Sequence, residues 1–267
     1  MAAVSVIIPV YNAAKYLSQC LQSVCNQTLR DIEIICVNDA STDNSLEILQ
    51  EFSKQDARIK IIDLKENKGA AVARNTAIKS AGGEYLGFVD SDDFIDLNFY
   101  EKLYKKAKET NACVVKGKIV IYCPKTKSVL NSDVKNHKEN YYFNFTAAIY
   151  RTSLVRENAI EFLEGLIYFE DTYFTIKSAL FYKKLEAISD VSYYYVNNPG
   201  SATHRDQALN LESLIDGTAK VLDILDEHCS DKQHYLVVFD FLLEHILWFC
   251  RRFDVSDEVN AKAPLKS

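Results

Sequence analysis

Gly82-Gly83-Glu84-Tyr85-Leu86-Gly87-Phe88-Val89-Asp90-Ser91-Asp92-Asp93 is the stretch on which the reading of this chain turns. Tyr85 to Val89 is short, aromatic and apolar, and the glycine pair leads into it, the pattern of a buried strand. Carboxylates crowded at the end of such a strand repel one another and lose hydration. A divalent cation makes that tolerable. Asp-x-Asp offers two hard oxygen ligands from one tight turn, and a magnesium or manganese ion held there can grip a diphosphate. An EF-hand is excluded, because Phe94 and Ile95 stand where that loop needs an oxygen ligand and a glycine. A solvated turn in which Asp96 caps the next helix is the other reading. On these residues alone both stand.

Upstream, the chain alternates strand and helix signals. Val4-Ser5-Val6-Ile7-Ile8 is a β-rich run ended by Pro9, and apolar positions at Ala13, Tyr16, Leu17, Cys20, Leu21 and Val24 predict a helix. Ile32 to Val37 reads as a second buried strand, and Ser41-Thr42-Asp43 as the N-cap region of a helix through Leu46, Leu49 and Phe52. A third strand follows at Ile59 to Ile62, then an alanine-rich helix from Ala70 to Ala81 and a fourth strand from Glu84 to Val89. This alternation predicts an α/β fold with a doubly wound, mostly parallel sheet. Polar residues follow three of the strands, at Tyr11-Asn12, Asn38-Asp39 and Asp90-Ser91-Asp92. Open α/β sheets bind ligands at such carboxyl ends.

Past Thr110 the alternation loosens. Cys113 to Tyr122, Tyr141 to Phe143 and Val191 to Val196 read as strands, Thr172 to Leu180 as a short helix behind Glu170-Asp171, and Gln207 to Phe253 as helix broken near Ser230-Asp231. The polar tail from Asn260 is expected to be disordered. The net charge of −6 argues against a nucleic-acid partner. Seven cysteines without a CxxC pair suggest reduced thiols and a cytoplasmic setting, at most at the inner face of a membrane. No signal peptide or membrane span is expected. Dinucleotide, P-loop and nucleophile-elbow motifs are absent from the sequence.

The residues resemble family 2 glycosyltransferases of the GT-A fold, of the bacterial surface-polysaccharide type. Val4 to Asn12 resembles the family's opening strand, and Val37-Asn38-Asp39-Ala40-Ser41-Thr42-Asp43 its second-strand motif. Asn67-Lys68-Gly69 with Ala73-Arg74-Asn75 resembles the segment before the metal motif, and Val89 to Asp93 the Asp-x-Asp motif itself. The resemblance implies that Pro9, Tyr11, Asn12, Asp39, Arg74, Asp90 and Ser91 bind a nucleotide diphosphate sugar, UDP-linked, with Tyr11 stacking on the base and Asp39 bonding it. It implies that Asp92, with Asp90, holds Mn2+ or Mg2+. Phe169-Glu170-Asp171 resembles the pair whose second carboxylate is the base, which makes Asp171 the catalytic candidate. Tyr193-Tyr194-Tyr195 and Gly200-Ser201 resemble a tyrosine-rich strand and its loop. Val196 and Asn197 replace the usual arginine there, leaving His204 or Arg205 as substitutes beside the leaving group.

The organisation expected is a nucleotide-sugar-binding half over 1–115, an acceptor-binding half over 116–206, C-terminal helices over 207–255 and a flexible tail over 256–267. The acceptor is a glycan or a lipid-linked hydroxyl. Inversion needs a Lewis acid for the departing diphosphate, a base for the acceptor proton and an exposed anomeric carbon. An apolar wall at Tyr168-Phe169 is expected to raise the pKa of Asp171. Bland readings remain beside these: Asp39 capping a turn, Asp171 capping a helix, and Arg74 pairing with a surface carboxylate. A nucleotide-sugar-binding protein without turnover and a nucleotidyltransferase are the alternatives, the latter lacking its glycine-rich loop. Leu236, Phe239, Leu243, Ile246, Leu247 and Phe253 require cover. The C-terminal helices that carry them are expected to pack on the domain and support a homodimer, with at most transient membrane contact.

Overall fold

Val4-Ser5-Val6-Ile7-Ile8-Pro9-Val10 is buried at every position, and so is Ile32 to Asn38 beside it. Strands covered on both faces must be apolar throughout, which is the signature of the centre of a parallel sheet. The computed structural model describes residues 1–124, 126, 128–130, 145–166, 169–197, 207–230, 235–236, 238–240, 242–244 and 246–247. In chain order the elements begin β1 (Val4–Val10), α1 (Ala14–Cys25), β2 (Ile32–Asn38), α2 (Ser45–Gln55), β3 (Ile59–Asp63), α3 (Ala70–Ser80) and β4 (Tyr85–Phe88). They continue with β5 (Phe94–Ile95), α4 (Phe99–Thr110), β6 (Val114–Cys123), β7 (Ser128–Leu130), β8 (Ala148–Arg151), α5 (Thr152–Glu157), α6 (Glu170–Phe181), β9 (Leu185–Val196) and α7 (Gln207–His228).

One sheet runs in the order β3-β2-β1-β4-β8-β6-β9-β5, with β7 paired to β6. The first four strands are parallel, as expected. β8 then joins antiparallel to both β4 and β6, and β9 pairs parallel to β6. Helices cover both faces. Leu17 and Leu21 of α1, Leu49 of α2 and Leu103 of α4 pack on one. Ala73 and Ala77 of α3, Val155 of α5 and Phe174 of α6 pack on the other. β6 crosses residues 115 and 116, so the two expected halves share this sheet. Among the described residues no helix is long and apolar enough to cross a membrane, and the cysteines are free thiols.

Three local expectations are corrected. The first strand does not stop at Pro9 but continues to Val10. Proline is tolerated there because the ladder with β4 has already ended at Ile7 and Phe88. The Ser41-Thr42-Asp43 segment does not cap α2, which starts at Ser45 after Asn44. The Asp43 carboxylate instead accepts from the backbone N–H of both Ala14 and Ser45, tying the starts of two helices together. Asp96 does not cap α4, whose N-cap residue is Asn98. Its carboxylate turns to β9. The expected strand at Tyr141 to Phe143 and the tail lie outside the described residues.

Of the glycine pair, Gly83 is the one that packing requires. A Cβ there would stand 2.6 Å from the backbone nitrogen of Ser5. The C-terminal helical extension packs on the domain, as expected. Leu214, Val221, Ile224 and Leu225 of α7, with Val238 and Leu242, close over Phe169, Tyr173 and Ile176 of the α6 region. Gly217 permits this approach, since a Cβ there would lie 2.4 Å from the Phe169 ring. Gly217→Ala should therefore lower stability by about 1–3 kcal/mol through overpacking. A urea titration reads this; an unchanged midpoint would mean that α7 does not sit on Phe169 as described.

Candidate active site

The carboxyl ends of β1, β2 and β4 converge, as parallel strands require. Tyr11 leaves β1 with 43% of its surface exposed. Asn12 takes a left-handed conformation, φ 49°, which asparagine tolerates better than most residues. Its side-chain oxygen accepts from the Thr42 backbone N–H at 2.8 Å, and its own N–H donates to Ser41 Oγ at 3.1 Å. Thus the turns after β1 and β2 hold each other. Pro9 is buried in the strand below.

Asp39 is buried and does bond a turn. Its Oδ1 accepts from Lys68 N and its Oδ2 from Gly69 N, both at 2.8 Å. These bonds hold the loop that opens α3. Arg74 follows one turn into that helix and is not at the surface. Its guanidinium is buried, lying over the Phe145 ring at 4.6 Å and the Phe162 ring at 5.1 Å. Nη2 donates to Asp90 Oδ1 at 2.8 Å and Nη1 to Glu170 Oε1 at 3.2 Å. Burial works against this charge, but Asp90, Glu170 and nearby Asp171 outweigh it, and the pKa of Arg74 is raised. Its neighbour Asn75 fixes the segment behind the site: Nδ2 donates to Phe162 O and Oδ1 accepts from Phe162 N, each at 2.9 Å.

The acidic turn divides its labour. Asp90 faces Arg74, Ser91 and Asp92 are half-buried, and Asp93 is turned inward with 2% exposure. Burial, then Asp90 and Asp92, push Asp93 well above the usual carboxylate range. The oxygen-only donor set of Asp90 and Asp92 suits a hard divalent ion such as Mn2+ or Mg2+. Arg74 uses Oδ1 of Asp90 and leaves Oδ2. Among the described residues no group of three His, Cys, Asp or Glu side chains could hold a metal.

Asp171 stands in the first turn of α6 rather than at its cap. Phe169 is the cap residue, in the left-handed region with φ 83°. Asp171 Oδ1 accepts from Thr172 N at 2.7 Å, and the negative charge is favoured at a helix N-terminus. Burial first, and Asp171 second, push Glu170 from 4.5 up to about 7. The apolar wall is only half visible, since Tyr168, like His204 and Arg205, lies outside the described residues, and Phe169 packs against α7. Sequence reading gave Asn75 and Glu170 no role of their own beyond the motifs that contain them. Their adjacency to Arg74 and Asp171 was the available signal.

Comparison with known proteins bears on the fold and the family. Residues 5–160 match the family model described as glycosyl transferase family 2. The chain is 38% identical over 202 residues, 72% of its length, to the poly(ribitol-phosphate) beta-glucosyltransferase of Bacillus spizizenii. It is 32% identical over 216 residues, 75% of its length, to the uncharacterized glycosyltransferase EpsJ of Bacillus subtilis. It spans only 32% and 62% of those relatives' own lengths. The crystal structure of Staphylococcus aureus TarS 1–349 in complex with UDP-GlcNAc superposes with a TM-score of 0.78 at 27% identity, over all of this chain and 77% of that one.

An acid whose folded pKa lies above its unfolded value holds its proton longer in the folded chain. Between pH 4.5 and about 7 Glu170 therefore makes stability fall as pH rises. Glu170→Gln should flatten that part of the wild-type curve. Parallel denaturation curves for the two proteins across this window would show that Glu170 is not the titrating group.

Proposed function

The chain belongs to glycosyl transferase family 2, and from that premise we propose that it moves a sugar, with inversion, from a UDP-linked donor to a hydroxyl of a glycan or lipid-linked acceptor. The observation that carries this is the Arg74 bridge. It joins Asp90, at the end of a nucleotide-side strand, to Glu170, beside Asp171 on the acceptor side. TarS, whose solved complexes contain UDP-GlcNAc and UDP, supports a uridine diphosphate donor.

Tyr11, exposed at the mouth, stacks on the base. Asp39 bonds its edge with the lone pairs that Lys68 N and Gly69 N leave unused. Pro9, Asn12 and Ser91 shape and line the same pocket. When bound, a manganese or magnesium ion on Asp92 and Asp90 supplies Lewis acidity for the departing diphosphate. Asp171 takes the acceptor proton. The acceptor oxygen then bonds to the anomeric carbon from the face opposite the diphosphate, which leaves with the electron pair of its C–O bond. Glu170 and Arg74 hold Asp171 and Asp90 in one frame.

Calorimetry with UDP and GDP, with and without manganese, tests the donor site. UDP should bind more tightly than GDP, and manganese should strengthen UDP binding. Asp92→Asn should lose that strengthening and turnover together. Equal or reversed base preference, or full activity of the variant, would refute the proposal. Transfer or donor hydrolysis distinguishes an enzyme from a binding protein.

Partner contact is the second part of the proposal. Leu236, Phe239, Leu243 and Leu247 remain exposed on the face away from Val238 and Leu242. A second copy of the chain is the proposed cover, because acidic Asp240 and Glu244 lie among them and oppose an anionic membrane. Light scattering should give twice the 30.4 kDa chain mass, and Leu243→Glu should halve it. A wild-type monomer that sediments with anionic vesicles would overturn this.

A further inference from the structure

The acidic turn is held by a hydroxyl a hundred residues away in the chain. Tyr193 of β9 is fully buried and paired with Ile95 of β5. Its hydroxyl lies between two groups of the turn. It accepts from the Asp90 backbone N–H at 3.1 Å and donates to Asp93 Oδ2 at 2.6 Å. Asp93 Oδ1 accepts from Val196 N at 2.8 Å, so both its oxygens serve β9. Asp93 N donates to Asp90 O at 3.0 Å and closes the turn. A second tie follows, in which the Asp96 carboxylate accepts from Ser192 N at 2.8 Å and from the Tyr194 hydroxyl at 3.0 Å. Opposite β9, Cys20 and Gln27 of the α1 region reach Asp90 O and Asp96 O.

Three carboxylates in four residues repel one another and would splay a free turn. A neutral phenol ties the turn without adding charge. Tyr11 and Asp39 are held by other means, the β1 and β2 turns and the Lys68-Gly69 loop. We propose that Tyr193 is a positioning residue for the diphosphate end of the donor: by fixing the Asp90 backbone and the Asp93 side chain, it aims the carboxylates of Asp90 and Asp92. The inference rests on the reading in which those two carboxylates hold a divalent ion.

Titration calorimetry of the full chain with uridine, with UDP and with UDP plus manganese tests it, using guanosine and GDP if wild type prefers them. Tyr193→Phe keeps the buried ring and loses only the hydroxyl. Nucleoside and metal-free nucleotide affinities should stay within about two-fold of wild type, while the gain from manganese falls roughly ten-fold, the scale of a lost hydrogen bond to a charged group. Asp93→Asn should lose a similar share, and the double variant no more than either alone, since the two act through one bond. An equal manganese gain in wild type and Tyr193→Phe overturns this inference alone. Loss of nucleoside binding in Tyr193→Phe also overturns it, because the hydroxyl would then support the whole domain. A wild type that gains nothing from manganese overturns the metal reading and this inference with it.

Discussion

A guanidinium cannot shed its proton, so the burial of Arg74 imposes a condition on everything around it. Its charge must be answered inside the protein, and Asp90 and Glu170 answer it from opposite directions. Asp90 comes from the end of the parallel strands and Glu170 from a helix that begins 96 residues after Arg74. The flat faces of Phe145 and Phe162 complete the cage, in the geometry that favours a cation over an aromatic ring. Removing either carboxylate would leave a buried charge short of a partner, a costly state. The two sides of the cleft are therefore fixed relative to each other by electrostatics as well as by the shared sheet.

The same constraint explains the arrangement of the later chain. α6 must present Glu170 to Arg74, and its first residue sits directly after a cap residue in the left-handed region. Backbone held in that region by a bulky side chain costs energy and persists only when its surroundings over-determine it. Here the surroundings are α7, which packs on Phe169 through Gly217. The C-terminal helices are thus part of how Glu170 and Asp171 are placed.

Much of this was legible because the signals at the ends of β1, β2 and β4 are local. Strand, turn and polar residue lie within a few positions of each other at Val10 to Asn12, Asn38-Asp39 and Phe88 to Asp92, so periodicity and strand-end logic find them together. β8 escaped notice because Ala148 to Arg151 is too short to show a period, and its place between β4 and β6 is set by pairing alone. β5 has only two residues. The partners of Asp93 and Asp96 lie on β9, about a hundred residues on, where no local pattern points. Arg74 was ambiguous for a related reason. An arginine in a helix reads as a surface residue until the rings and carboxylates that bury it are brought in by the fold.

The two ends of the parallel strands handle buried carboxylates in opposite ways. At the amino end Glu33 accepts from Ser5 Oγ, Gly82 N and Lys60 Nζ, and these bonds overcome its burial to hold its pKa below the usual carboxylate range. That group is satisfied by the protein alone, as a structural anchor should be. At the carboxyl end, burial and neighbouring carboxylates win at Glu170 and Asp93, and one guanidinium serves Asp90 and Glu170 together. Among the described residues, one buried guanidinium there is divided between two carboxylates. Structural anchors can be complete in the free protein, whereas an ion-binding site must keep part of its demand for the ligand. On the function proposed above, that shared cation is the physical reason for a divalent ion and the donor diphosphate to enter this cleft together rather than one without the other.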